Sequence, residues 1–286
     1  MKHAKQVRRF LAATLVLIFI LALNVTCSTG FKFVRGFSVP TEETQIVSLE
    51  APFIEKDIDL SEGIDFAFWE SRTPQRVALF FQGMVLPWPQ EVVPSVEIKT
   101  FHNSENIFFY LAWEDDTEDA IIDIDRFSDA CAIMFSLEES QRNLSLMMGS
   151  QDKANVWQWK ASQDREFWLN EKAERVVYVD FYYPFEEQEL FVVSKEKLQS
   201  AANDLLAVGV GTITLKPTQN IKARGRYDNG IWRVVFERSL ENMDPQFDAR
   251  FMNVRTQPVR FAIWNGSEGD RGGRKSISYW VDLSLD

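Results

Sequence analysis

From about residue 45 onward the chain is a series of short apolar runs broken by turn residues. "RVALFF" (76–81), "SVEIKTF" (95–101), "NIFFYLAW" (106–113), "ACAIMFS" (130–136), "VVYVDFYY" (176–183), "VGVGTITL" (208–215), "IWRVVFERSL" (231–240), "VRFAIWNG" (259–266) and "SISYWVDLSL" (276–285) are rich in β-branched and aromatic residues. Several alternate with period two, as half-buried antiparallel strands do. In "YDNGIW" the Asn-Gly pair supplies the positive φ of a tight hairpin turn. Two stretches read as helices, about 163–174 and about 186–206, the second containing "SKEKLQSAANDLLA". Many short strands with few helices predict an all-β-dominated chain, an antiparallel β-sandwich with a few peripheral helices. "TEDAIIDIDRF" reads as a connection, no internal repeat divides the chain, and residues 46–286 are expected to form one domain.

The N-terminus follows a different pattern. "MKHAKQVRR" is basic, Phe10 to Val25 is an apolar run of 16 residues, and polar "TCSTG" follows. That order predicts a secretory signal peptide over 1–27, with 28–45 as a linker. A retained N-terminal membrane anchor competes with it, although the run falls short of the roughly 20 residues of a full span. Lipid on Cys27 and a twin-arginine reading of "RRFL" are further alternatives. All of them place the body outside the cytoplasm, in the periplasm or its equivalent, either free or anchored.

Composition then narrows the function. The 286 residues are 45% hydrophobic and 13% aromatic, enough for a real core. The net charge is −11, and losing Lys2, Lys5, Arg8 and Arg9 with a signal peptide would make the body more acidic still. So acidic a surface argues against nucleic-acid binding and suits a basic partner, such as a positively charged electron carrier. With only Cys27 and Cys131, thiolate-bound zinc and iron–sulfur clusters are excluded, and no C-x-x-C-H is present for covalent haem. His102 is the only histidine of the body, so mechanisms that need two are out. Neither G-x-S-x-G nor H-E-x-x-H occurs. The acidic "WEDDTED" (113–119) could offer oxygen ligands to calcium, but it lacks EF-hand spacing and reads better as a solvated loop.

Three stretches carry candidate chemistry. In "LMMGSQDKANVWQWKA" (146–161), Met147 and Met148 meet a glycine, and Trp157 and Trp159 would share one face of a strand. Alone, the thioethers read as core filler and the indoles as core or a sugar-stacking platform. "GSEGDRGGRKS" (266–276) is Gly-rich without phosphate-loop spacing and reads as a surface hairpin. "KTFHNSEN" reads as a strand ending in a turn, with His102 exposed in it.

Taken in order, "FYLAWEDDT" (109–117), "DACAIMFS" (129–136), "MMGSQDKANVWQWKA" (147–161), "GVGTIT" (209–214), "ARGRYDNGIWRVVFERSL" (223–240) and "VRFAIWNGSEGDRGGRKSISYW" (259–280) resemble one family. It is that of the haem-binding γ subunits of periplasmic molybdenum enzymes, including those of ethylbenzene dehydrogenase, dimethylsulfide dehydrogenase, selenate reductase and nitrite oxidoreductase. The resemblance covers roughly residues 75 to 285. It implies a sandwich like that of carbohydrate-binding modules and a haem b with methionine and lysine as axial ligands. It also implies partners: a molybdopterin catalytic subunit, an iron–sulfur subunit and a soluble cytochrome c. The chain itself would carry electrons without being an enzyme. By the same resemblance the methionine is Met148, with Met147 next and Met134 as a further alternative, and the lysine is Lys275. Trp157 and Trp159 would surround the group with apolar bulk, and Arg271 and Arg274 would meet its propionates unless they are plain hairpin charges. The doubled methionine and Ser150, where an acidic residue is expected, depart from the family pattern. Two other functions stay open: a carbohydrate-binding module using Trp157, Trp159 and Trp168, and a γ-like subunit that has lost haem.

Overall fold

A computed structural model describes residues 48–82, 91–123, 126–137, 153–169, 198–208 and 212–286. All of these lie in one compact unit by their contacts. The expected export segment lies outside the described residues. Among those residues no helix is long and apolar enough to cross a membrane.

In chain order the elements are β1 (Ser48–Ala51), α1 (Phe66–Glu70), β2 (Gln75–Ala78), β3 (Phe80–Phe81), β4 (Ser95–His102), β5 (Asn106–Glu114), β6 (Ala130–Ser136) and β7 (Ala154–Lys160). There follow α2 (Ala161–Leu169), β8 (Ala202–Ala207), β9 (Thr214–Leu215), β10 (Ile221–Asp228), β11 (Ile231–Ser239), β12 (Gln257–Trp264), β13 (Ser276–Ile277) and β14 (Val281–Leu285). They make two sheets. One runs β10-β11-β5-β4-β2; the other runs β1-β14-β12-β6-β7-β8-β9, with β13 joining β12 to β3. Apart from the parallel pair β1–β14, neighbours are antiparallel. The all-β sandwich expected from the alternating runs is therefore present.

The main core lies between the sheets. Ile98, Phe109, Leu111, Trp113, Val234 and Phe236 from the five-stranded sheet meet Ile133, Phe135, Trp157, Trp159, Phe261 and Ile263 from the larger one. Burying each such large apolar side chain contributes roughly 1.5–3 kcal/mol. On the outer side of the five-stranded sheet, Phe101, Phe108 and Tyr110 are covered by Ile58, Leu60 and Trp69 of the segment around α1. At the β10–β11 hairpin, Asn229 (φ 51°) and Gly230 (φ 75°) adopt the expected turn.

Several elements differ from the sequence reading. "RVALFF" is not one strand: β2 pairs with β4 and β3 with β13, so the chain changes sheet at Leu79. Of the expected helix at 186–206, residues 202–206 lie in strand β8, residues 198–201 are not helical, and 186–197 lie outside the described residues. Ala and Leu favour helix in isolation, but here pairing along β7 and burial of Asp204 against Lys216 decide the conformation. Among the described residues "VGVGTITL" contributes only β9, "SISYWVDLSL" splits into β13 and β14, and "VVYVDFYY" lies outside them. The helix expected at about 163–174 is present as α2, which begins at Ala161, two residues after Trp159; residues 170–174 lie outside the described residues.

Candidate functional site

The site follows from period-two alternation in three adjacent strands of the larger sheet. Cys131, Ile133 and Phe135 of β6, Trp157 and Trp159 of β7, and Val259, Phe261 and Ile263 of β12 face the main core. The alternate positions face outward and form their own apolar cluster: Ala130, Ala132, Ala154, Val156, Leu205, Ala207 and Trp264, with Met134 and Ala262 packed against it. Ala132 and Ala262 sit opposite one another in register. These small side chains make a low floor, and the taller Trp264, Met134, Val156 and Leu205 rise around it. The result is an apolar hollow with an open mouth.

Lys275 enters this hollow from the strand β13 side. Ser276 and Ile277 pair with Ile263 and Ala262, which places Lys275 beside Trp264. The residue is 6% exposed; its Nζ lies 4.7 Å from the Trp264 ring centre and 3.3 Å from the Gly272 carbonyl oxygen. Burial, and then the charge of Arg260, push its amine down to about 8 from an ordinary 10.5, with Asp270 opposing. At neutral pH, freeing its lone pair therefore costs on the order of 1 kcal/mol instead of about 5 kcal/mol for an exposed lysine. An amine so placed can donate to a metal ion, because the metal competes with a weakly held proton.

Arg260 and Gln82 also line the hollow. Arg260 pairs in register with Met134, is 4% exposed, donates from Nε to the Ser278 carbonyl at 2.7 Å, and lies 5.6 Å over the Trp280 ring. Burial pushes its guanidinium down to about 10. Sequence reasoning passed over both residues. Arg260 did leave a signal, since it alternates with Ala262 and Trp264 in "VRFAIW" and so takes the outward face of that strand. Gln82 left none, because its position depends on the change of sheet at Leu79.

The other sequence candidates fall in different places. Met147 and Met148 lie outside the described residues, whereas Met134 lines the hollow with Lys275. Trp157 and Trp159 are 0% exposed and belong to the inner core, on the opposite face of β7 from the hollow. The outward wall of that strand is Val156 and Gln158 instead. Buried indoles cannot stack a sugar, and the half-buried Trp168 is engaged by Arg224 at 4.7 Å and by the Ala223 carbonyl. Arg271 lies 4.5 Å over Phe127 and donates to the Gly269 carbonyl, while Arg274 donates to the Glu268 carbonyl. Neither lines the hollow; both brace the loop that delivers Lys275. Arg274 Nε also approaches Asp270 at 3.4 Å, too poorly aligned for a hydrogen bond. His102 is not an exposed turn residue as expected. It closes β4 at 8% exposure, with the Phe53 ring edge-on at 5.5 Å, in the other sheet from Lys275.

A second cluster anchors the same loop. Asp129, at the start of β6, accepts from the backbone nitrogens of Gly266 (2.8 Å) and Asp119 (2.7 Å) and from Trp232 Nε1 (2.8 Å). Burial, with Asp115 nearby, raises its carboxyl to about 7. A Cβ at Gly266 would fall on the Phe127 carbonyl oxygen, so glycine is required where the loop passes this carboxylate. Among the described residues, no three His, Cys, Asp or Glu side chains are grouped to hold a metal ion. The acidic "WEDDTED" accordingly serves turns, as when Asp115 Oδ1 accepts from the Thr117 nitrogen at 3.2 Å.

The ethylbenzene dehydrogenase family model matches residues 67–276, and the chain belongs to that family. Among its relatives, the chlorate reductase subunit gamma of Ideonella dechloratans is 24% identical over 76% of this chain and 77% of its own length. The dimethylsulfide dehydrogenase subunit gamma of Rhodovulum sulfidophilum is 27% identical over 64% of this chain and 58% of its own. A Haloferax mediterranei protein, provisionally named respiratory nitrate reductase heme subunit ORF7, is 26% identical over 66% of this chain. The match spans only 55% of that relative's length. A family 9 carbohydrate binding module from Caldicellulosiruptor kristjanssonii, in complex with glucose, superposes with a TM-score of 0.43 at 8% identity, over 84% of this chain and 95% of its own.

Proposed function

We propose that this chain is the exported haem b subunit of a molybdenum and iron–sulfur oxidoreductase, and that it carries electrons without a substrate of its own. The observation that carries the reading is Lys275: an amine buried in an apolar hollow and held close to deprotonation, in a chain of the ethylbenzene dehydrogenase family. The names of the relatives, which include gamma subunits and a heme subunit, support it.

The residues present fit such a group. Haem, when bound, supplies a one-electron couple. Lys275 gives up its proton and offers its lone pair. The alanine floor admits a flat ligand, while Trp264, Val156, Leu205 and Met134 keep water away. A dry apolar wall disfavours the extra positive charge of the oxidised group and so raises its potential. Arg260 presents a guanidinium suited to a carboxylate substituent. On the resemblance, Met148 supplies the sulfur donor. The partners would be a molybdopterin catalytic subunit, an iron–sulfur subunit and a soluble cytochrome c, whose basic surface the net charge of −11 would steer.

The test is spectroscopic. Protein purified gently from its native host should show a Soret band, a low-spin spectrum and stoichiometric molybdenum and iron–sulfur partners. Lys275→Ala should turn the spectrum high-spin, and so should Met148→Ala, whereas Met134→Ala should leave it low-spin. A colourless protein, or a low-spin spectrum that survives Lys275→Ala, would overturn the reading.

A further inference from the structure

This inference rests on the haem reading above and concerns how the lysine is held. Gln82 is 8% exposed, lines the hollow, and its Oε1 has no hydrogen-bond partner among the described residues. A buried amide oxygen left without a donor costs about 1–3 kcal/mol, so such an atom asks for one.

Its placement comes from the sheet change at Leu79. Phe81 of β3 pairs with Ser276, and the Gln82 nitrogen donates to the Lys275 carbonyl at 3.0 Å. Gln82 and Lys275 therefore stand opposite one another across neighbouring strands, and both side chains line the hollow. A neutral amine that gives its lone pair to a metal keeps two N–H donors. One acceptor is already near, since the Gly272 carbonyl oxygen lies 3.3 Å from Nζ. The other donor needs a second acceptor on the same side of the hollow.

We propose that Gln82 is the positioning residue of Lys275: its Oε1 accepts the second N–H of the coordinated amine and so holds the lone pair toward the iron. Ligand N–H groups in metal sites are commonly held this way by a carbonyl or carboxylate, which fixes orientation and raises the donor strength of the ligand. The chain would thus clamp one amine between a loop carbonyl (Gly272) and a strand side chain (Gln82).

The experiment uses full-length, haem-loaded protein with Gln82→Leu and Lys275→Ala in parallel. In Gln82→Leu, haem affinity should fall roughly 10- to 100-fold. Its reduction potential should rise, because a weaker donor stabilises ferric iron less. The low-spin electron paramagnetic resonance g-values should shift as the amine turns. Unchanged affinity, potential and g-values in Gln82→Leu, with Lys275→Ala high-spin, would overturn this inference and leave the ligation standing. A low-spin Lys275→Ala would remove the ligation and the inference together. Should Gln82→Leu fail to fold, the native reduced protein decides by proton magnetic resonance. Both Lys275 amine protons should then exchange slowly with solvent; one that exchanges as a free donor would refute the clamp.

Discussion

Replacing Lys275 by leucine should make the haem-free chain more stable at neutral pH while destroying its proposed function. The folded chain holds the amine near 8, against an ordinary 10.5 for the unfolded chain. Below about pH 8 both states are protonated, and the fold carries the full cost of a buried charge. Between 8 and 10.5 the unfolded chain binds one more proton than the folded one. Stability then rises with pH by about 1.4 kcal/mol per unit, about 3 kcal/mol in all. Leucine has no such charge, so Lys275→Leu should exceed the native chain by about 3 kcal/mol at pH 7. By pH 9.5 that advantage should shrink by about 2 kcal/mol. Carboxyls that burial raises, such as Asp129 at about 7 and Asp164 at about 6, titrate in both proteins and largely cancel in the difference. Urea unfolding of the two haem-free proteins at pH 7 and pH 9.5 measures this directly. A native chain at least as stable as Lys275→Leu at pH 7, or a pH-independent difference, would refute the account of a buried, strained amine.

Three further outcomes follow from packing. Gly225→Ala would place a methyl group on the Trp159 indole, so thermal unfolding should show a loss of about 1–3 kcal/mol. Gly266→Ala would drive the loop off the Phe127 carbonyl and away from Asp129; haem should then dissociate faster, with the secondary structure by circular dichroism unchanged. Lys216→Met would leave Asp204 and Asp248 buried without their shared cation, and denaturant melts should show a loss of about 3–5 kcal/mol.

The strands were legible where runs of β-branched and aromatic residues ended in turn residues, as in β4, β5, β6 and β11. The sequence was silent where the answer depended on a partner far along the chain. "RVALFF" reads as one strand because its composition is uniform, yet its halves join different sheets. Strand β8 read as helix because "AANDLLA" is helix-forming until β7 lies beside it. At the site, alternation put Trp157 and Trp159 on one face of β7 but could not say which. Val156, on the other face, is buried too, so both faces are apolar and the usual polar-outside cue is missing. Lys275 was legible only as part of a longer family-like block, since "GRKSIS" has no periodicity of its own. Met147 and Met148 lie outside the described residues.

That second apolar face is where structure leads to function. The outer positions of a sandwich strand ordinarily carry polar side chains, because water faces them. Here the larger sheet spends those positions on Ala132, Ala262, Val156 and Leu205, and adds two buried cationic side chains, Lys275 and Arg260. Neither choice helps a sandwich fold: the alanines bury little, and the lysine charge costs stability. The inner side of the same strands compensates. Asp204 of β8 pairs with Lys216 at 2.8 Å and accepts from Asn155 of β7 at 2.5 Å; Asp248 pairs with the same lysine and with Arg238 of β11 at 3.1 Å. Breaking such a quartet exposes buried charge, so a slip of β8 against β7 is heavily penalised. Leu205, one residue from Asp204, is thereby fixed in the wall of the hollow. The inner face holds the strands in register so that the outer face can hold a costly amine ready.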